Sequence, residues 1–560
     1  MKIHIKGGGQ VSLSRSDFVT SGGEGEIYAK GNTAYKIYID PNHMIPEGKI
    51  QELALIKDPY VNKPDKIIAS TKGKPIGYTT TFIKNAVPLC SLFPKAYRDR
   101  NSITPTIILS LIKRLQEMVD NVHTANILIV DLNEMNFLIN DQYDKIYGID
   151  VDSYQTKHFP ATALMETVRD RHSKTFNEGT DWFAYAITSF QMFCGIHPYK
   201  GKHSNLKGLD ARMNANISVL HPDVKVPKSI LPFDVIPDVY KQWYLAVLHD
   251  GKRIHPPTDF IAQAVIAPIV KVIVSSGNIV IKDLNIDVIG NIKSIHHHFG
   301  HTVILTDEMV YSNSNPMQAI GKNNYVCAFT PKSNDAVIAH LEYDGLKIDN
   351  ITRRYKKQTD LHIDTLVSYN GNLLIKSHSQ IIEVRFIEIY GKILTTLKTI
   401  GNVLPQATKL YSGVAIQNLL RSIFISLFPE QGVCYQLKVP ELDSYKIIEA
   451  KFDNGVLMVI GVKDQKYDRL VFRFDSKYQN YDLRVVSDIV NTGLNFVTLD
   501  TGICVCLNEE EKIEAFSSRK GSKGIKVVED NALSGDMVLY KKGGKVIVTK
   551  NNKVYQMSMK

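Results

Sequence analysis

Apolar positions follow two different rhythms along this chain. Through residues 1–265, short β-type runs alternate with longer stretches at helical spacing. In residues 105–123, Ile107, Ile108, Leu111, Ile112, Leu115 and Met118 recur at intervals of one, three or four, which predicts a helix with one apolar stripe. Residues 47–57 and 258–266 also read as helical. Residues 27–30 and 33–38 read as two strands joined by a tight turn at Gly31-Asn32. From residue 270 onward almost every apolar run is short and bounded by Gly, Asn or Ser, the pattern of strands and turns. The rhythm changes near Ala267-Pro268, which predicts two domains, 1–267 and 268–560.

The second domain repeats. Turn signals precede an apolar strand at Gly277, Asn324, Gly371, Gly413, Gly455, Gly502 and Gly544. From Gly371 onward the glycines are 42, 42, 47 and 42 residues apart, and Gly277 to Gly371 is two steps of 47 with Asn324 midway. Repeats of that length, each holding several strands, point to an all-β propeller. Seven marks favour seven blades, with six as the alternative and a pair of β-sandwiches as the structural competitor.

Composition narrows the function classes. The 560 residues are 44% hydrophobic and 22% charged, the balance of a folded globular chain. Net charge is +10, thinly and evenly spread, and no basic run concentrates it as a nucleic-acid binder would. The longest apolar stretch, residues 260–274, is interrupted by Gln263, Pro268 and Lys271 and is too short for a membrane span. The opening MKIHIKGGGQ carries no apolar signal region, so a cytoplasmic protein is expected. Six cysteines have neither zinc nor redox spacing and read as reduced core residues. Three consecutive histidines, His296 to His298, alternate faces on a strand and cannot all meet one ion.

Candidate chemistry lies in the first domain. Residues 20–28 read TSGGEGEIY, where Gly22, Gly23 and Gly25 let backbone N–H groups approach phosphate closely. Lys36 falls on the strand beside that loop, within reach of phosphate oxygens, and Glu52 on the next helical stretch could hold it. After the 105–123 helix, residues 127–139 place Asp131 and Asn136 five apart between apolar runs, and residues 145–150 end in Asp150. One Asp to orient a hydroxyl, with an Asn and a second Asp to hold Mg²⁺, forms a phosphoryl-transfer set.

On these motifs, residues 10–265 resemble the protein kinase family, in particular bacterial and phage eukaryotic-like Ser/Thr kinases with GGEG, D-x-N-x-x-N and I-D-x-D-S motifs. The resemblance implies an α+β bilobal fold, with an N-lobe over about 1–84 and a C-lobe over about 85–267. It implies ATP with Mg²⁺ or Mn²⁺ as cofactors and a protein hydroxyl as acceptor. Gly22, Gly23, Gly25 and Ile27 would line the phosphate loop, Lys36 would anchor the phosphates, and Glu52, or else Glu47, would pair with it. Phe82, Ile83 and Asn85 would form the adenine-contacting hinge. Asp131 would be the catalytic-loop aspartate, Asn136 and Asp150 the metal ligands, and Asp181 the brace of the catalytic loop. His197 opens an H-P-x-x-G segment similar to that of this subgroup. Its members often accompany PP2C-type phosphatases and von Willebrand A domains, which makes such proteins expected partners; neither membrane nor nucleic acid is expected.

Departures from the pattern are specific. Ile129-Val130 replaces the His-Arg of H-R-D, so activation by loop phosphorylation is not expected. Asp150-Val-Asp152 replaces D-F-G, making Asp152 a competing metal ligand. A-P-E is absent, which leaves Arg253, similar to the arginine that pairs with its glutamate, without an assigned partner. The readings that follow are an active kinase recruiting partners through its propeller, a pseudokinase scaffold, and a kinase-fold enzyme acting on a small molecule.

Overall fold

The computed structural model describes residues 1–227, 230–258, 277–321, 323–342, 345–352, 355–359, 361–390, 392–490 and 493–559. The chain forms two compact units, the first made of residues 1–270 with 490–492 and the second of residues 271–489 and 493–560. The apolar stretch 260–274, most of the 258–266 helical stretch and the expected boundary at 267/268 lie outside the described residues. Among the described residues, no helix is long and apolar enough to cross a membrane.

The first unit carries a seven-stranded sheet. Its strands are β1 (Lys2–Ile5), β2 (Gln10–Ser12), β3 (Phe18–Ser21), β4 (Gly25–Lys30), β5 (Thr33–Tyr38), β6 (Ile67–Ala69) and β7 (Pro75–Thr81), ordered 2-1-6-7-5-4-3. The predicted hairpin is present: β4 and β5 pair antiparallel with Tyr28 opposite Tyr35 and Ile27 opposite Lys36, and Gly31 turns at φ 64°. A short helix, α1 (Glu47–Leu53), follows; it ends four residues before the predicted stretch does.

In the rest of this unit helices are the main regular elements. A second sheet joins β8 (Val87–Pro88), β9 (Phe137–Ile139) and β10 (Ile146–Gly148). Helix α2 (Lys95–Arg100) leads to α3 (Pro105–Thr124), where the Thr104 hydroxyl accepts from the Ile107 N–H and Pro105 pre-sets the first turn. The predicted stripe faces the core: Ile108, Leu111, Ile112, Leu115 and Met118 are buried, with only Ile107 at its margin. Helix α4 (Glu178–Cys194) is buried along almost its whole length and packs against α3 and α6 (Asp238–Leu248), while α5 (Gly208–Ala215) lies between them in sequence. It stops at Gly195, at φ 72°, where a Cβ would sit 2.5 Å from the Phe93 carbonyl oxygen.

Among the described residues, the second unit holds seven four-stranded antiparallel sheets. Six are consecutive meanders, at residues 292–319, 326–359, 365–402, 408–438, 446–486 and 496–528. The seventh joins Ile279–Asp283 to the last three strands, Val538–Lys542, Lys545–Lys550 and Lys553–Met559. Ile292–His298, the first strand of the first meander, packs on Val538–Lys542.

The glycine marks sit where the strands turn, with two exceptions. Gly371, Gly413, Gly455, Gly502 and the Gly543-Gly544 pair each occupy the first hairpin of a sheet, and Gly371, Gly413, Gly455, Gly502 and Gly543 have φ between 60° and 86°. Gly277 and Asn324 instead precede the first strand of their segments. The equivalent hairpins turn at Gly300 and Asn334. These first hairpins lie closer together than the later ones, so an even spacing extrapolated backwards misses them.

Candidate active site

Lys36 is placed by three strands: β5 carries it between Ile27 of β4 and Tyr78 of β7. The approach of β7 is close enough to require glycine, since a Cβ at Gly77 would fall 2.0 Å from the Lys36 carbonyl oxygen. The Lys36 ammonium lies 2.8 Å from Asp150 Oδ1 and 2.7 Å from Asp152 Oδ2. The Tyr38 hydroxyl also donates to Asp152 Oδ2, at 2.5 Å. The Tyr38 and Tyr78 rings flank the ammonium, with centroids 5.4 and 5.8 Å away.

Electrostatics divides the two aspartates. Burial works against the charged form of Asp152, but Lys36 and the Tyr38 hydroxyl more than offset it and hold the carboxyl below its ordinary range. Burial pushes Asp150 up, with Lys36 pulling it back and the Asp152 carboxylate adding to the rise. Because 42% of the Asp150 side chain is open to solvent, its carboxylate remains the accessible one. Burial likewise opposes the charge on Lys36, yet the two carboxylates outweigh it and raise the ammonium above the ordinary lysine range.

Glu52 does not join this group. It meets His158 instead, with Oε1 against Nδ1 and Oε2 accepting from the His158 backbone N–H at 3.2 Å. Glu47, the alternative, is paired with Lys6 at 2.6 Å. The cause lies in α1, a seven-residue helix whose buried side chains are Lys49, Ile50 and Leu53. That face leaves Glu52 toward the 156–160 segment, where Lys49 donates to the Pro160 carbonyl at 3.1 Å. Asp152 therefore holds the place expected of Glu52 beside Lys36.

The loop between α3 and β9 brings Asp131 and Asn136 together. Asn136 Nδ2 donates at 3.0 Å to both Asp131 Oδ2 and the Asp131 carbonyl. The Met165 backbone N–H donates to Asp131 Oδ1 at 2.6 Å. Asn136 is tied to the Asp150 segment through its backbone, its carbonyl accepting from the Ile149 N–H at 2.9 Å. Asp150 itself adopts the left-handed conformation, at φ 59°.

A buried carboxylate underlies this loop. Asp181 of α4 is fully buried and accepts from the Ile129 N–H at 2.8 Å, the Val130 N–H at 2.9 Å and His123 Nε2 at 2.9 Å. Val130 has φ 65°, a costly conformation for a β-branched residue. The two backbone bonds to Asp181 offset that strain and fix the peptide just before Asp131. Thr188, two turns along the same helix, bonds the Leu132 carbonyl at 3.0 Å.

The glycine loop separates into two roles. Gly22 N–H bonds the Gly25 carbonyl at 2.8 Å, closing the β3–β4 turn. A Cβ at Gly25 would lie 2.8 Å from the Ile37 carbonyl oxygen, so this glycine is required by packing on β5. Gly22 and Gly23 are exposed and face open space. Ile27 is half-buried on β4, opposite Lys36. Beyond β7, Phe82 N–H bonds the Asn32 carbonyl at 2.8 Å, Ile83 is half-buried, and Asn85 turns at φ 54°.

Arg253 finds its partner in Asp170, a residue the sequence did not single out. Its Nε and Nη2 each lie 2.6 Å from one Asp170 oxygen, and the guanidinium stacks 4.4 Å above the Phe183 ring. His197 accepts at Nδ1 from the Tyr199 N–H and so donates from Nε2 to the Thr167 carbonyl, at 2.9 Å. None of the six cysteines forms a disulfide, and all but Cys434 are buried. His296, His297 and His298 take separate partners, Ser294, Thr302 and Asn334.

No protein-family profile and no curated protein matches this chain.

Proposed function

We propose that this chain is an ATP- and Mg²⁺-dependent Ser/Thr protein kinase of bilobal kinase fold, joined to a seven-bladed propeller that recruits a protein partner. One observation carries the reading: Lys36 meets Asp150 beside an Asp131–Asn136 pair that a fully buried Asp181 braces through the backbone. Such a set suits phosphoryl transfer, whose catalysis is mostly positioning and charge stabilisation.

The donors suit a hard divalent cation. Asn136 makes its two bonds through Nδ2, and Asp150 meets Lys36 through Oδ1. The Asn136 Oδ1 and Asp150 Oδ2 oxygens are the ligand type Mg²⁺ takes. When bound, the ion would neutralise charge on the nucleotide phosphates. The Lys36 ammonium has three protons and two carboxylate partners, which leaves one proton for a phosphate oxygen. Gly23 would give its backbone N–H group to the same phosphates, and neither Gly22 nor Gly23 puts a side chain in their way. Asp131, oriented by Asn136, would accept the hydrogen bond of the acceptor hydroxyl and fix its line of attack. The seven sheets, with the last closed by a strand from the start of the unit, support a propeller, a scaffold whose faces commonly bind proteins.

A scaffold reading has one observation in its favour. Met165 N–H already occupies Asp131 Oδ1, the oxygen an acceptor would use if Oδ2 stays with Asn136. Calorimetric titration with ATP separates nucleotide binding from this question. Binding that strengthens with Mg²⁺ and falls in Lys36→Ala supports the nucleotide site; binding indifferent to both rejects it.

A further inference from the structure

A different group of histidines converges in the second unit, in the sheet of residues 365–402. His362 and Asp364 lie just before its first strand, Thr365–Tyr369. His378 lies in the turn between Asn372–Ser377 and Gln380–Ile389. One ligand atom from each residue falls within 4.8 Å of the other two. We propose that His362, Asp364 and His378 form a binding site for a divalent transition ion of the zinc class, with solvent completing the coordination.

The surrounding bonds orient the donors. Asp364 Oδ2 is taken by the buried Lys376 ammonium at 2.7 Å and by the His378 backbone N–H at 3.1 Å. The carboxylate is therefore held so that Oδ1 faces His362 Nε2, 3.1 Å away. The Asp364 N–H bonds the Lys376 carbonyl at 2.9 Å, and the Ser377 hydroxyl bonds the His362 carbonyl at 2.6 Å, which ties the segment before the strand to the turn. The two imidazoles meet edge to face, with centroids 4.6 Å apart. Supporting contacts of this kind orient metal-ligating side chains in general.

The spacing is close to what coordination needs. Tetrahedral zinc with bonds of about 2.0–2.1 Å sets its ligand atoms about 3.3–3.4 Å apart. The His362–Asp364 distance, 3.1 Å, is slightly under that, and since no separation exceeds 4.8 Å none must close by more than about 1.5 Å. A χ rotation of the exposed His378 ring supplies such a movement. Two imidazoles and one carboxylate oxygen make a borderline-soft donor set, which selects zinc-class ions over Mg²⁺. Lys376 adds a positive charge beside the site, so micromolar rather than nanomolar affinity is expected. Nothing in this assignment depends on phosphoryl transfer.

The test uses the full chain without a polyhistidine tag, stripped with a chelator and titrated with Zn²⁺ by calorimetry and with Co²⁺ by visible absorption. One equivalent with a Kd in the micromolar range, weakened at least tenfold in both His362→Ala and His378→Ala, supports the site. His297→Ala should leave that equivalent unchanged, and thermal melting verifies that each variant is folded. Uptake that is equal in wild type and the two histidine variants, or absent below millimolar ion, overturns the proposal.

Discussion

Replacing Asp152 by Asn should destabilise the first unit and weaken nucleotide binding, whereas Glu52→Gln should do neither. Asp152 is 2% exposed and accepts one bond from the Lys36 ammonium and one from the Tyr38 hydroxyl. Removing one partner of a buried ion pair costs about 3–5 kcal/mol. Lys36 keeps Asp150, and the amide oxygen can still accept from Tyr38, so we expect about 2–3 kcal/mol. Both tryptophans, Trp182 and Trp243, lie in the first unit, so tryptophan fluorescence during guanidinium unfolding of the full chain reports on that unit alone. The pH dependence adds a signature. Asp152 has its folded pKa below the unfolded value, so its charge contributes stability above the unfolded pKa and loses it as pH falls through the folded one. The gap between wild type and Asp152→Asn should thus be full at pH 7 and shrink below about pH 4. A Glu52→Gln midpoint shifted as far as that of Asp152→Asn, or an unshifted Asp152→Asn midpoint, would refute the assignment of Asp152 as the partner of Lys36.

Other substitutions probe the frame of the site. Gly77→Ala should cost about 3 kcal/mol or more and abolish ATP binding, because its Cβ would press on the Lys36 carbonyl; an unchanged denaturation midpoint would contradict this. Gly25→Ala should destabilise the first unit while Gly22→Ala leaves its midpoint unchanged and raises only the KM for ATP, since a Cβ clashes with Ile37 in the first case and meets open space in the second. Arg253→Lys should cost about 2–4 kcal/mol, because a lysine cannot reproduce the two-pronged bond to the buried Asp170, and equal stability would show that pair to be incidental.

What the sequence revealed depended on whether the signal was local. The β4–β5 hairpin, the α3 stripe and the turn glycines from Gly371 onward were legible because each is set by neighbouring residues. Lys36, Asp131, Asn136 and Asp150 were legible as a set because their order along the chain carries information. Pairings across long sequence separation were not. Glu52 looked suited to Lys36 because a carboxylate on a nearby helix could reach it, but α1 is too short and its buried face aims Glu52 at His158. Asp152 was visible only as a rival metal ligand. Asp170 sits between two arginines and reads as a surface charge until the fold brings Arg253 to it, 83 residues on.

The proposed activity is phosphoryl transfer by Asp131 with Lys36 holding the nucleotide. Its most direct test is transfer of label from γ-labelled ATP with Mg²⁺ or Mn²⁺ to the chain itself and to a generic protein acceptor, for wild type, Lys36→Ala and Asp131→Ala. We predict labelled Ser or Thr in wild type, none in either variant, and ATP binding retained in Asp131→Ala. Equal labelling in Asp131→Ala and wild type, or none in wild type while Mg-ATP is bound, would contradict the account.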